Sequence, residues 1–168
     1  MLAQIEGVRL VGIQDEDDTK ARRVAEDLGV RSFSGIEDLI EQADALTIAT
    51  NTPSHFQIAQ AALQRGRHVF IEKPITQTVA EAEELCSLAS KTGLCLQVGH
   101  IERFNPALLA LERYEIRPLF VESHRLAQFN PRGSDVAVVL DLMIHDIDVI
   151  LSFVRSPVKQ VDANGVAV

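Results

Sequence analysis

The sequence predicts an α/β chain: a doubly wound parallel sheet over residues 1–100, followed by the start of a second, α+β domain over residues 101–168. Three observations carry this. Short apolar runs rich in β-branched residues alternate with longer amphipathic stretches, as parallel strands alternate with crossover helices. Each pair is joined by a turn of a few residues, so neighbours in sequence are neighbours in space. After Gly99 the alternation stops, which places a domain boundary near residue 100.

Val8 to Ile13 is a buried-type strand that stops at the acidic cluster Gln14 to Asp18. Thr19 to Leu28 places Ala21, Val24, Ala25 and Leu28 at helical spacing, with Gly29 as the C-terminal cap. A second helix is expected at Ile36 to Gln42 behind Ser34, then a strand at Ala45 to Thr50. Ser54 to Gln64 is helical, with Phe56, Ile58, Ala59, Ala62 and Leu63 on its apolar face and Gly66 ending it. A third strand runs from His68 to Ile71. Thr78 and Glu81 have the spacing of a capping box and open a helix that buries Ala82, Leu85, Cys86, Leu88 and Ala89 and stops at Gly93. Leu94 to Val98 is the next strand.

Beyond the boundary, Asn105-Pro106 starts a helix through Tyr114, with Pro at its first position. Arg117 to Phe129 reads as extended, Asn130 to Ser134 as a loop, Val136 to Phe153 as a helix and Val158 to Val168 as strand-like. Two strand-like segments under one helix leave sheet edges unpaired. A homo-oligomer through this C-terminal sheet is therefore expected.

Composition narrows the function classes. The 168 residues are 46% apolar, and their net charge of −8 lacks the basic surplus of a phosphate-backbone binder, so no nucleic-acid partner is expected. The longest apolar runs, Ala107 to Leu111 and Val136 to Leu140, fall far short of the ~20 residues that span a bilayer. The acidic first twenty residues show no secretory pattern, which gives a cytoplasmic expectation. Cys86 and Cys95 form no metal-type or redox-type pair and read as reduced, buried filler.

In a doubly wound sheet, ligands bind beyond the carboxyl ends of the strands. Asp15 ends the first strand and has the chemistry to accept hydrogen bonds from the adenosine ribose hydroxyls of a dinucleotide. Its neighbours Glu16, Asp17 and Asp18 repel a 2′-phosphate, favouring NAD over NADP. The same cluster also reads as a solvated turn that caps a helix. Thr50-Asn51-Thr52-Pro53-Ser54-His55 is a polar turn at a helix N-terminus, suited to a ribose or phosphate, or simply to starting a helix. Glu72-Lys73-Pro74 places an acid and a base in a rigid turn, which reads equally as an exposed surface turn.

On the last helix Asp141, His145 and Asp148 fall at i, i+4 and i+7, one polar stripe. It is either structural or an imidazole base oriented by a carboxylate one turn away. Two ligands at this spacing are half a metal site, but no third His or Cys stands ready, and no metal is expected. The chain contains no G-x-G, and its first strand already ends in the ribose-type acid that belongs on the second strand of a dinucleotide fold. The expectation is a Rossmann-like sheet lacking its first strand and Gly-rich loop.

His68 to Pro74, preceded by Asn51-Thr52-Pro53-Ser54-His55 and followed by Asp141-Leu142-Met143-Ile144-His145-Asp146, resembles the Gfo/Idh/MocA oxidoreductases, in order along essentially the whole chain. The resemblance implies an N-terminal Rossmann domain, a C-terminal α/β domain on a large open sheet, and oxidation or reduction of a sugar or cyclitol carbon with a nicotinamide cofactor, NAD or less readily NADP. Gln97 to Pro106 resembles members acting on nucleotide sugars such as UDP-N-acetylglucosamine derivatives, which places His100, Arg103, Asn105 and Asp141 toward the substrate. Carried onto this sequence, the resemblance implies that Lys73 hydrogen-bonds the reacting hydroxyl and the nicotinamide ribose. His145 takes the hydroxyl proton, and Asp141 orients His145 or the substrate. Asp15, Thr50, Asn51, Thr52, Pro53, His55, Glu72 and Lys73 border the cofactor. The competing reading is a non-catalytic remnant that keeps the α/β core as a binding or oligomerisation module.

Overall fold

The computed structural model describes residues 4–126 and 137–166. The chain divides into two compact units, Met1–Gly99 and His100–Val168. The first unit runs β1 (Gly12–Ile13), α1 (Asp18–Leu28), β2 (Arg31–Ser32), α2 (Ile36–Gln42), β3 (Ala45–Ile48), α3 (Thr52–Gln64), β4 (His68–Ile71), α4 (Val79–Thr92) and β5 (Leu96–Val98). All strand pairs are parallel. β1 pairs only with β2, and β3-β4-β5 form a separate sheet with β4 in the middle. These are the 3-2 and 4-5-6 positions of the dinucleotide-fold order 3-2-1-4-5-6, with no described strand at position 1.

Local chemistry sets the helix ends. Asp17 accepts hydrogen bonds from the main-chain N–H groups of Thr19 and Lys20, and α1 ends at Gly29 in the left-handed conformation, φ 65°. The Thr78–Glu81 capping box is formed in both directions, and Gly93 ends α4 at φ 69°. α3 begins two residues before the expected Ser54, because Pro53 sits in its first turn, where a missing N–H costs nothing. α2 starts from Gly35 rather than from a Ser34 side-chain cap.

Ile40, Leu46, Ile48, Leu63, Val69, Ile71, Leu85 and four alanines form the core under β3 and β4. Small residues on α3 (Ala59, Ala62) and α4 (Ala89) bring the two helices close to one another and to the sheet. The expected strand Val8 to Ile13 shrinks to two residues, since only Gly12 and Ile13 find a ladder partner. That partner, β2, carries no apolar run and is formed by pairing alone. A Cβ on Gly12 would lie 2.4 Å from both the Arg31 carbonyl oxygen and the buried Phe33 ring, so this approach requires glycine.

In the second unit a 3-10 turn (Ile101–Phe104) precedes α5 (Pro106–Leu109), shorter than the expected helix to Tyr114. A π-helical turn (Val139–Met143) runs into α6 (Ile144–Phe153). The extended segments expected from Arg117 and from Val158 form no strand over residues 117–126 and 158–166, because neither has a ladder partner there. Phe129, the loop Asn130 to Ser134, the helix start at Val136 and the end of the last segment at Val168 lie outside the described residues. Cys86 and Cys95 are free and exposed, which corrects the expectation of buried filler. No helix among the described residues is long and apolar enough to cross a membrane.

Candidate functional site

Because β3, β4 and β5 run parallel, their carboxyl ends share one edge. Glu72-Lys73 and Gly99 follow those ends directly, and Thr50-Asn51 follow one residue beyond Ile48. The ladder continues into this edge: the Glu72 N–H donates to the Ile48 carbonyl at 2.9 Å, and the Gly99 N–H to the Ile71 carbonyl at 2.8 Å. Gly99 lies against the Glu72 carboxylate, where a Cβ would come within 3.1 Å of Oε2. The Lys73 N–H in turn donates to Glu72 Oε2 at 3.3 Å, so the acid closes the turn that carries the base.

His55 does not behave as a surface ligand group. It is 1% exposed, with Nδ1 2.9 Å from the Pro74 carbonyl oxygen and Nε2 3.0 Å from the Thr50 carbonyl oxygen. Thr50, Asn51 and Pro53 are exposed at the same edge, and Asn51 makes no side-chain capping bond as α3 begins.

Asp15 follows β1, at the end of the other sheet. Its carboxylate pairs with Lys20 Nζ at 2.7 Å and accepts from the Asp17 N–H at 3.1 Å. The Lys20 bond, more than the Asp17 N–H, holds this half-buried carboxyl below its usual range. Beyond β2, a shallow polar hollow of about 200 Å³ is lined by Asp18, Arg22, Ser32, Phe33, Ser34 and Asp38, with Arg31 stacked 4.4 Å over the Phe33 ring.

The second unit holds its own cluster. Asp141 lies in the π-helical turn and His145 at the start of α6. His145 Nδ1 is buried and has no hydrogen-bond partner among the described residues, so a carboxylate does not orient the ring through that nitrogen. Arg103, from the 3-10 turn, grips Asp148 with two bonds of 2.7 and 2.6 Å, and His100 Nδ1 stands 3.9 Å from the same carboxylate. Arg125 binds Asp146 at 2.5 and 3.0 Å, and the Ser123 hydroxyl adds a bond of 3.1 Å. Asn105 caps α5 through the Ala107 N–H at 3.0 Å and donates to Glu102 at 3.2 Å. No group of three or more His, Cys, Asp or Glu is placed to hold a metal among the described residues.

The Asp148 side chain is only 11% exposed, and the Arg103 guanidinium holds its carboxyl below the usual carboxylate range. A depressed folded-state pKa stabilises the fold above the unfolded value of ~3.9 and loses that contribution as pH falls through the folded value. Asp148→Asn is therefore expected to flatten the acid limb of the stability curve below pH ~4, measured by thermal unfolding. An acid limb unchanged from the parent would contradict this linkage.

Parallel strands joined by helices, in the 3-2 and 4-5-6 positions of the dinucleotide-fold order, are those of a Rossmann-type α/β fold. A family profile described as "Oxidoreductase family, NAD-binding Rossmann fold" matches residues 1–100, and the chain belongs to this family, the Gfo/Idh/MocA oxidoreductases. The chain is 40% identical over 160 residues to UDP-N-acetylglucosamine 3-dehydrogenase of Acidithiobacillus ferrooxidans, covering 95% of this chain and 51% of that protein. It is 27% identical over 179 residues to scyllo-inositol 2-dehydrogenase (NAD(+)) of Bacillus subtilis, covering 98% and 52%. A crystal form of the Acidithiobacillus enzyme superposes with a TM-score of 0.82 at 41% identity, over 86% of this chain and 48% of that one. The chain thus spans about half the length of these relatives.

Proposed function

We propose that these residues belong to an NAD-dependent dehydrogenase of a nucleotide sugar, of the UDP-N-acetylglucosamine class. The observation that carries this reading is the Lys73 turn at the carboxyl end of β4, the middle strand of its sheet, tied to the end of β3 through His55. The 40% identity to a UDP-N-acetylglucosamine 3-dehydrogenase supports the substrate class.

The donor set fits a dinucleotide. Asp15 offers an acceptor to the adenosine ribose, and the acidic residues 16–18 beside it disfavour a 2′-phosphate, which makes the cofactor NAD. Asn51 and the N-terminus of α3 offer donors to the cofactor, and Glu72 shapes the turn that presents Lys73. Bound NAD supplies the hydride acceptor. Lys73 holds the reacting oxygen by hydrogen bond. His145 takes the hydroxyl proton as the carbonyl forms, and Asp141 sets the substrate or the ring in place. Asp148, gripped by Arg103, fixes α6 and so the position of His145. The exposed apolar side chains of the second unit, among them Leu119, Phe120 and Val161, support self-association through that unit.

The test is to incubate the 168-residue chain with NAD and UDP-N-acetylglucosamine and to follow NADH formation against ketosugar. The expected result is one NADH per sugar oxidised. Saturable NADH binding with no hydride transfer from this or other nucleotide sugars to NAD would favour the non-catalytic binding module instead.

A further inference from the structure

His55 sits between two oxygens that can only accept. Its Nδ1 is 2.9 Å from the Pro74 carbonyl oxygen and its Nε2 is 3.0 Å from the Thr50 carbonyl oxygen. A neutral imidazole carries one N–H and one lone pair, so it satisfies one of these carbonyls and points a lone pair at the other. The ring is 1% exposed, and its bond at Nδ1 is shut from solvent while the one at Nε2 is partly so. A ring that donates from both nitrogens satisfies both oxygens.

We infer that His55 is a double-donor clasp, a positioning residue that fastens the turn bearing Lys73 to the carboxyl end of β3. The two carbonyls belong to different elements: Thr50 follows β3 and opens the approach to α3, whereas Pro74 follows Lys73 beyond β4. The ring bridges 5 residues of sequence on one side and 19 on the other. It therefore fixes the relative placement of the Asn51 and Lys73 turns, which the strand ladder leaves unpaired after the Glu72 N–H. Glu72 and Lys73 are the charged groups of the turn it holds, and Glu72 is itself engaged with the Lys73 N–H. That the clasp serves catalysis rests on the function proposed above; the double donation does not.

The experiment is NMR of the uniformly ¹³C,¹⁵N-labelled full chain, with the His55 ring assigned on the parent chain from its own backbone amide. The expected spectrum shows both His55 nitrogens as protonated, each correlated with its own slowly exchanging proton, at neutral pH. A lone-pair-type nitrogen at either position would overturn the clasp, and this reading on the parent chain stands even where a variant fails to fold. In His55→Gln, exchange of the Glu72 N–H, at the site end of β4, is expected to rise about tenfold or more. The Val69 N–H, bonded to the Cys95 carbonyl at the opposite end of the same strand, stays unchanged. Equal acceleration at both amides, or none at either, would overturn the positioning role. A doubly protonated His55 in a chain that binds no NADH would sink the proposed function alone, and NADH binding with a neutral His55 would sink the clasp alone.

Discussion

Replacing His145 with alanine is expected to lower NAD-dependent turnover of the proposed nucleotide sugar by about 10²–10⁴-fold, the range for removing a positioned general base. NADH affinity is expected to stay within about twofold, because the proposed role sets this base against the substrate hydroxyl and not the dinucleotide. The His145 Nδ1 is buried but holds no partner among the described residues, whereas the two acids that follow it in the helix, Asp146 and Asp148, are each occupied by an arginine. Those arginines anchor α6 without engaging the imidazole at Nδ1. Initial rates with and without the substitution, over a range of pH, check the prediction. Turnover reduced less than about tenfold, with an unaltered pH profile, would remove His145 from the chemistry.

Ile71→Ala is expected to destabilise the first unit by about 2–5 kcal/mol, the range for a large-to-small change in a packed core. Ile71 is 0% exposed, pairs with Ile48 on one side and Val98 on the other, and is the last residue before Glu72 and Lys73. The cavity left behind has little room to collapse, since Leu63 and Leu85, also at 0% exposure, belong to the same core. Urea titration followed by circular dichroism measures the loss. A cost under about 1 kcal/mol would mean that β4 is not the strand on which the site is built.

The helices were the most legible part of the sequence, because their ends carry local chemistry. Gly29, Gly93 and the Thr78–Glu81 box act within one turn of where they stand, and each does what its spacing implies. Strands were harder to read. A β-branched run such as Val8 to Ile13 shows which residues suit a ladder, but only a neighbouring strand makes one, and only Gly12 and Ile13 have it. β2 is the converse, an Arg-Ser pair with no strand pattern that becomes a strand because Gly12 lets it approach. The segments from Arg117 and Val158 fail for the same reason as Val8: apolar patterning without a partner.

The site divides along the same line. Strand-end placement put Asp15, Asn51, Glu72 and Lys73 at carboxyl edges, since a parallel sheet leaves them nowhere else to go. The inward turn of His55 depends on a carbonyl 19 residues away, and the Arg103–Asp148 pair joins residues 45 apart, so neither leaves a local signal. Asp148 was visible as part of a polar stripe, but nothing in its spacing named its partner.

The central claim is that the strand ends of this chain hold a nicotinamide dinucleotide, and calorimetric titration of the 168-residue chain with NADH tests it most directly. Saturable binding is expected, weakened about tenfold by Asp15→Ala through the loss of one hydrogen-bonding charged acceptor to the ribose. No saturable heat, or binding that the Asp15 substitution leaves unchanged, would contradict it.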